Sequence, residues 1–218
     1  MRVEKYGITL RRLTEDDIEL VRFHRNSDFI RSKMFYQKII SKEEQKAWFE
    51  SINNDWNYYF LIDYKDKTVG LVHGTIESYE ERNARGGLFI WDEVALNSHL
   101  PVLASVCTTD LTFFIMEMER TTAEVRMDNQ VAVDYNLSFG YTILETNEEE
   151  RKVFMELTRE NYVTSSNIVR QMVKRIAKDT TDLSWDDITF PGVIPEGLYQ
   201  NLPPYLDEKL KIKLSQTH

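Results

Sequence analysis

With 218 residues, 42% of them hydrophobic and 29% charged, the chain is long enough for one large domain, or one domain with an extension, and has the balance of a globular protein. No apolar run reaches the length of a bilayer span, so no membrane partner is expected. The net charge of -9 excludes a broad nucleic-acid surface, whose affinity comes from neutralised phosphates, but leaves room for a small anionic ligand.

The opening "MRVEKYGITLRRL" has no signal-peptide core and reads as a strand, best formed over residues 7–13. Thr14 followed by Asp17 starts a helix over "DIELVRFHRN". Ser41 with Glu44 makes a capping box ahead of "KEEQKAWFESINN". Between them lies a basic island, Arg22, Arg25, Arg31, Lys33 and Lys38 against the single acid Asp28. It is either a local field for a phosphate or a solvated face balanced by "EDDIE" upstream. Residues 58–64 and 68–78 form a hairpin about "KDK", and 85–91 a further strand. Residues 100–119 have helical spacing, with Pro101 near the start, where proline is tolerated. The one cysteine, Cys107, sits in that run and reads as a small buried hydrophobe. It can form no internal disulfide, which suits a reducing cytoplasm.

Residues 121–127 form a strand, and "NQVAVDYNLSFG" a helix opened by Asn129 and closed by Gly140. The strand "YTILE" follows, and 151–159 closes the sheet. After about residue 162 the character changes to a basic amphipathic helix, "SSNIVRQMVKRIAKD", then a stretch holding every proline except Pro101. The expected organisation is a domain over 1–162 with an extension, 163–218, packed on it. His24, His73, His99 and His218 are scattered without a close pair, so no metal site is expected.

"VRMDNQVAVDYNLSFGY", with Asn129, Ala132, Phe139, Gly140 and Tyr141 in place, resembles the strand, Asn, helix, Gly-Phe signature of the GNAT superfamily of acyl-CoA-dependent N-acyltransferases. "GGLFIW" resembles that family's fourth strand. The resemblance covers about residues 5 to 162. It implies a mixed α/β (α+β) fold: a mostly antiparallel sheet of six to seven strands, splayed between strands 4 and 5, flanked by helices and followed by a helical or extended C-terminal extension. It also implies acyl-CoA as cosubstrate and no metal, with the backbone of Leu88, Phe89, Ile90 and Trp91 meeting the acyl-pantetheine arm and Asn129 beside it. The pattern breaks twice. The loop that carries glycines around the CoA pyrophosphate falls on "ALNSHLP", which has none. Ser98, His99 and the first-turn amides around Val102, Ala104 and Ser105 stand in, since free amides at a helix start favour phosphate. Second, where many members place a tyrosine that protonates the leaving thiolate, this chain has Asn136. An amide can hydrogen-bond the thioester or pantetheine but cannot supply a proton, and Tyr135 is turned away by about 100°.

Within the superfamily, "FHRNSDFIRSKMFYQKIISKEEQKAWFESI" is similar to the front end of two groups, and "ARGGLFIWD" leans toward the first. One acylates amino sugars on nucleotide carriers, the dTDP-3-amino-3,6-dideoxyhexose N-acyltransferase type. The other acetylates protein N-termini, notably of ribosomal proteins. The first implies a cytoplasmic enzyme transferring acetyl or hydroxybutyryl by direct attack of the amine on the thioester. Asp92 and Glu77 are base candidates, and His73 a substrate or base candidate; each also has a bland reading as a solvated acid or a packed strand histidine. Arg25 and Arg31 would take the diphosphate, since a guanidinium binds phosphate bidentately. Phe35, Tyr36 or Trp48 would stack on the base, or pack in the core. Arg170, Lys174, Arg175 and Lys178 would face the CoA 3′-phosphate, a second subunit of a homodimer, or water. Rival readings are an N-terminal or polyamine acetyltransferase, and a catalytically degenerate binding module.

Overall fold

The computed structural model describes residues 1–192, 194 and 197–215; His218 lies outside the described residues. The chain opens with β1 (Arg2–Lys5) and β2 (Ile8–Arg12). The stretch expected as one strand is therefore a hairpin. Tyr6 (φ 54) and Gly7 (φ 75) turn it, the left-handed pair that a two-residue hairpin needs. Helices α1 (Ile18–Asn26), α2 (Asp28–Arg31) and α3 (Lys42–Ile52) follow. The expected capping box forms, Ser41 with Glu44, and the expected helix start at Thr14 is a box with Asp17 that opens a 3-10 turn, Glu15–Asp17, ahead of α1. β3 (Asn57–Tyr64) and β4 (Lys67–Ser78) make the expected hairpin, turned by Lys65 and Asp66, again both at positive φ.

Then come β5 (Asn83–Ile90), α4 (Glu93–Leu96) and α5 (Leu100–Asp110), the last widening into a π-helical turn over Leu111–Ile115. β6 (Arg120–Arg126), α6 (Gln130–Phe139), β7 (Thr142–Asn147) and β8 (Lys152–Thr158) complete the expected series. Beyond it lie α7 (Arg159–Thr164), α8 (Asn167–Ala177), β9 (Ile188–Thr189) and α9 (Pro204–Ser215). The proline-bearing part of the extension holds a helix of 12 residues, with Pro204 at its start, where the missing amide would have had no partner.

The strands form one sheet in the order β7-β8-β6-β5-β4-β3-β2-β1-β9. It has nine strands, against the six to seven expected, because the first strand folds back on itself and β9 adds to the edge. Every pairing is antiparallel except β5 with β6, which is parallel. Helices cover both faces. Leu61, Leu71 and Trp91 pack under α1 to α3 with Val21 and Phe49. On the opposite face Leu103, Val106 and Cys107 of α5 pack with Phe60, Ile62, Val72 and Leu157. Cys107 is fully buried and its thiol pKa is pushed up by that burial.

Val173, Leu183, Ile188 and Leu210 join the second cluster. A buried polar group ties this segment down. Asp110 accepts hydrogen bonds from Tyr6 Oη (2.5 Å) and Tyr162 Oη (2.7 Å) and lies 3.5 Å from Arg170 Nε. Arg170 and Lys174 both reach Asp182, at 2.6 and 2.7 Å. These two cations face inward to fixed partners, which removes them from the set expected to meet a CoA phosphate, a second subunit or water.

Gly140, closing α6, has φ +104, and a Cβ there would stand 2.5 Å from Ser166 Oγ, which donates to the Phe139 carbonyl at 2.5 Å. Both the backbone angle and the close approach demand glycine. Gly140→Ala is expected to lower stability by about 1–3 kcal/mol in urea unfolding. Adding Ser166→Ala should recover only the part due to the clash.

Candidate active site

The parallel ladder between β5 and β6 is short: Asn83, Ala84 and Arg85 lie opposite Arg120, Thr121 and Thr122, and pairing ends there. β5 stays paired with β4 along its length, as far as Ile90 opposite Gly70. From Gly86 onward the β6-facing edge of β5 therefore has no ladder partner among the described residues. Every second amide and carbonyl of such an edge points into the gap. A guest chain with its own amide groups can replace the missing strand there.

One face of β5 also floors a cavity of about 410 Å³. Tyr59, His73 and Gly87 form one cross-strand row, and Leu61, Leu71 and Phe89 the next. Tyr59, Leu71, His73 and Phe89 make the floor; Val21 and Arg25 of α1, Glu44, Gln45 and Trp48 of α3, and Met34, Tyr36 and Ile40 of the intervening loop make the walls. That loop is held across the gap by Arg126 of β6, whose Nη1 donates to the Met34 carbonyl at 2.9 Å. Gly87 explains part of the "GG" in the sequence: a Cβ there would lie 2.7 Å from His73 Nε2. The His73 ring leans into that space, stacked on Tyr59 with centroids 5.0 Å apart. Burial, helped by the Arg85 guanidinium, pulls the His73 pKa down to about 4, so the ring is neutral at physiological pH.

Of the expected substrate residues, the cavity gathers Arg25, Tyr36, Trp48 and His73. It does not include Arg31, which pairs with Asp28 on the surface, or Phe35, which lies exposed beside Lys152. The basic island is thus partly neutralised where it stands. Arg22 is bound to Glu19 and Lys33 sits over the Phe29 ring, leaving Arg25 as the one member of the island in the cavity wall. Gln45, also in the wall, was not singled out by sequence; a glutamine on a helix carries no signal of being buried.

The expected base candidates have local duties. Asp92 caps α4, accepting from the Ala95 amide at 2.9 Å. Glu77 accepts from Asn83 Nδ2 at 2.7 Å and lies 3.4 Å from Arg85. Asn129 caps α6 by accepting from the Ala132 amide. Asn136 turns toward the sheet, its Nδ2 3.7 Å from Met155 Sδ, while Tyr135 donates to Ser105 Oγ on α5 at 2.8 Å.

The Gly-free loop before α5 folds into α4 and a turn. Ser98 Oγ accepts from the Leu100 amide at 3.1 Å, and His99 Nε2 lies 3.2 Å from Tyr64 Oη. Pro101 has no amide, so the first turn keeps the Val102 N–H as its open donor among the described residues. Ala104 is fully buried and cannot touch a cofactor. Trp91 likewise packs inward, stacked on His24 at 4.5 Å, with its amide on the Val69 carbonyl at 3.0 Å. Among the described residues, no group of acidic, histidine and cysteine side chains could hold a metal ion, and no helix is long and apolar enough to cross a membrane.

The low His73 pKa has a consequence for stability. Its folded value, about 4, lies below the ordinary 6.5. Between those values the unfolded chain binds a proton that the folded chain refuses, so stability falls as pH drops from 6.5 to 4. The loss attributable to this group is at most roughly 3 kcal/mol. In His73→Asn that part of the pH dependence should vanish from urea midpoints measured across the window, and nuclear magnetic resonance should find the wild-type ring neutral at pH 6.

No protein-family model and no curated protein match the chain. Solved structures do. Spermidine N-acetyltransferase from Vibrio cholerae, in complex with CoA and spermine, superposes with a TM-score of 0.66 at 19% identity, covering 73% of this chain and all of that one. An aminoglycoside acetyltransferase, AAC(6')-Ib, in complex with coenzyme A, superposes with a TM-score of 0.62 at 13% identity, covering 72% of this chain and 97% of that one. The chain therefore has the fold of these CoA-binding acetyltransferases, with a mostly antiparallel sheet opened between β5 and β6.

Proposed function

We propose that the chain is an acyl-CoA-dependent N-acyltransferase acting on the amine of a nucleotide-linked amino sugar such as dTDP-3-amino-3,6-dideoxyhexose. The observation that carries this reading is the parting of β5 from β6 at Gly86, with the Arg25 cavity on the same strand. Acyl-CoA supplies the thioester; the free β5 edge binds the pantetheine amides and donates to the thioester oxygen as negative charge develops there. The cavity holds the acceptor so that its amine meets that carbonyl, which removes the entropic cost of a two-body encounter.

An amine with a pKa near 8 is about one tenth free base at pH 7. Deprotonating the ground state therefore gains only about tenfold, and water suffices as the proton acceptor. That fits Asp92 and Glu77, both engaged locally. The thiolate also takes its proton from water, because Tyr135 is bound to Ser105 and its hydroxyl pKa is pushed up by burial to about 12. We also take residues 1–162 as the acyltransferase domain and 163–218 as its extension, the Asp110–Arg170 pair supporting their close packing.

A polyamine acceptor is disfavoured because the cavity wall offers no surplus of acids, Glu44 being balanced by Arg25. The N-terminal acetyltransferase reading has one observation in its favour: Phe35, Tyr36 and Ile39 are exposed on the loop above the cavity, where a peptide could rest.

A CoA-release assay decides among these. Amino nucleotide-sugars, spermidine and a peptide are offered as acceptors, with acetyl-CoA and hydroxybutyryl-CoA as donors. Turnover with the nucleotide-sugars is expected; turnover with spermidine or peptide alone overturns the assignment. Arg25→Ala should raise the acceptor KM roughly tenfold, about 1.4 kcal/mol, and leave that for acyl-CoA unchanged. Asn136→Ala should reduce kcat by no more than about tenfold, since no proton passes through it.

A further inference from the structure

Three polar atoms in the cavity wall have no hydrogen-bond partner among the described residues and are shut off from solvent: Arg25 Nη1, Gln45 Nε2 and His73 Nδ1. Gln45 is the most telling. Its side chain is 3% exposed, on a helix whose neighbouring residues Glu43 and Lys46 are exposed. A buried N–H without an acceptor costs about 1–3 kcal/mol, and an apolar side chain of the same size would avoid that. Neither a guanidinium nor an amide nitrogen can accept a hydrogen bond. The Glu44 carboxylate stands at the exposed rim and already accepts from the Ser41 amide and the Tyr36 hydroxyl, so acceptor oxygens for Arg25 and Gln45 are what a ligand can bring.

The walls narrow the class further. Trp48, Tyr59, Tyr36 and Phe89 present aromatic surface, which suits ring faces. The formal charges lining the cavity are Arg25 and Glu44, which sum to zero because His73 is neutral. A diphosphate would want surplus cations here, but Arg31 and Arg22 are paired with acids elsewhere, and neither Lys33 nor Lys38 lines the cavity. A polyammonium chain could meet Glu44 at the rim but would leave the Arg25 and Gln45 donors without acceptors.

We infer that the cavity receives an uncharged ring bearing acceptor oxygens, held by Arg25 and Gln45, and leaves the diphosphate outside. This rests on the proposed acceptor, which has two such rings, its deoxyhexose and the pyrimidine of its carrier. Both share the required chemistry. The aromatic walls take the ring face, and the two donors take its oxygens.

The test is a set of binding titrations on the full chain with thymidine, the methyl glycoside of a 6-deoxyhexose, inorganic pyrophosphate and spermidine. At least one neutral ring should bind, and which one identifies the source. Gln45→Leu should weaken that binding about tenfold while leaving the unliganded protein as stable as wild type or more so, because the substitution removes an unpaired N–H. Lost stability in Gln45→Leu, or binding of pyrophosphate or spermidine but neither ring, overturns the inference. So does ring binding indifferent to both Gln45→Leu and Arg25→Met. No acyl transfer is needed for these measurements. Ring binding without turnover would overturn the acyltransferase reading alone, and turnover without ring binding this inference alone.

Discussion

The fold turns on one broken ladder. A parallel strand pair that stayed zipped past Arg85 and Thr122 would satisfy its own amides and leave no place for a guest. Here β5 keeps its antiparallel partner β4 to the end, while β6 departs to pair with β8. β6 keeps β8 on its far side from Arg120 to Arg126, but its near edge, past Thr122, is left without a ladder partner as well. The gap is therefore bordered by two free edges, β5 from Gly86 and β6 from Ala123. A strand edge inside a sheet is a recognition surface for anything with amide groups and an extended shape, and that makes this position a candidate thioester site although no side chain marks it.

The acceptor side follows from the same strand. Because β5 has its free edge toward β6 and its face toward α1 and α3, a group bound to the edge and a group seated in the cavity meet at the same few residues. Gly87 matters to both. It lets the backbone stand close to the gap and lets the His73 ring lie across the row. The neutral state of that ring has a physical origin in burial, aided by Arg85, and it removes a charge that would repel an ammonium group.

The segment after α7 is held by chemistry different from that of the core. A carboxylate with no solvent exposure, two tyrosine hydroxyls and a buried guanidinium meet at Asp110. Such a cluster contributes little net stability, because desolvation offsets attraction. It does discriminate strongly between placements, since any other position of α8 would strand the Asp110 charge. Asp55 acts similarly, accepting the amides of Gln200 and Asn201 at 2.9 and 2.8 Å.

Much of this architecture was legible in the chain. The capping boxes at Thr14 and Ser41, the turn at Lys65–Asp66 and Gly140 at the end of α6 are local rules, and local sequence determines them because each involves atoms only a few residues apart. The alternation of strands and helices follows from hydrophobic periodicity for the same reason, whereas the fold class comes from the resemblance carried by residues 125–141 and 86–91. What the sequence could not decide were pairings between distant atoms. Arg25 and Arg31 look alike in the chain, yet Asp28 binds one while the other lines the cavity, because α1 and α2 turn different faces to the sheet. Gln45 reads as a surface residue until α3 is laid on β3 and β4. Arg170 and Lys174 of the basic helix read as part of a wet face until Asp110 and Asp182 are brought beside them, while Arg175 and Lys178 stay exposed. The chain by itself determined which elements form; only tertiary packing decided which polar groups would be matched and which left waiting, since that depends on distances across the sheet that no local pattern encodes.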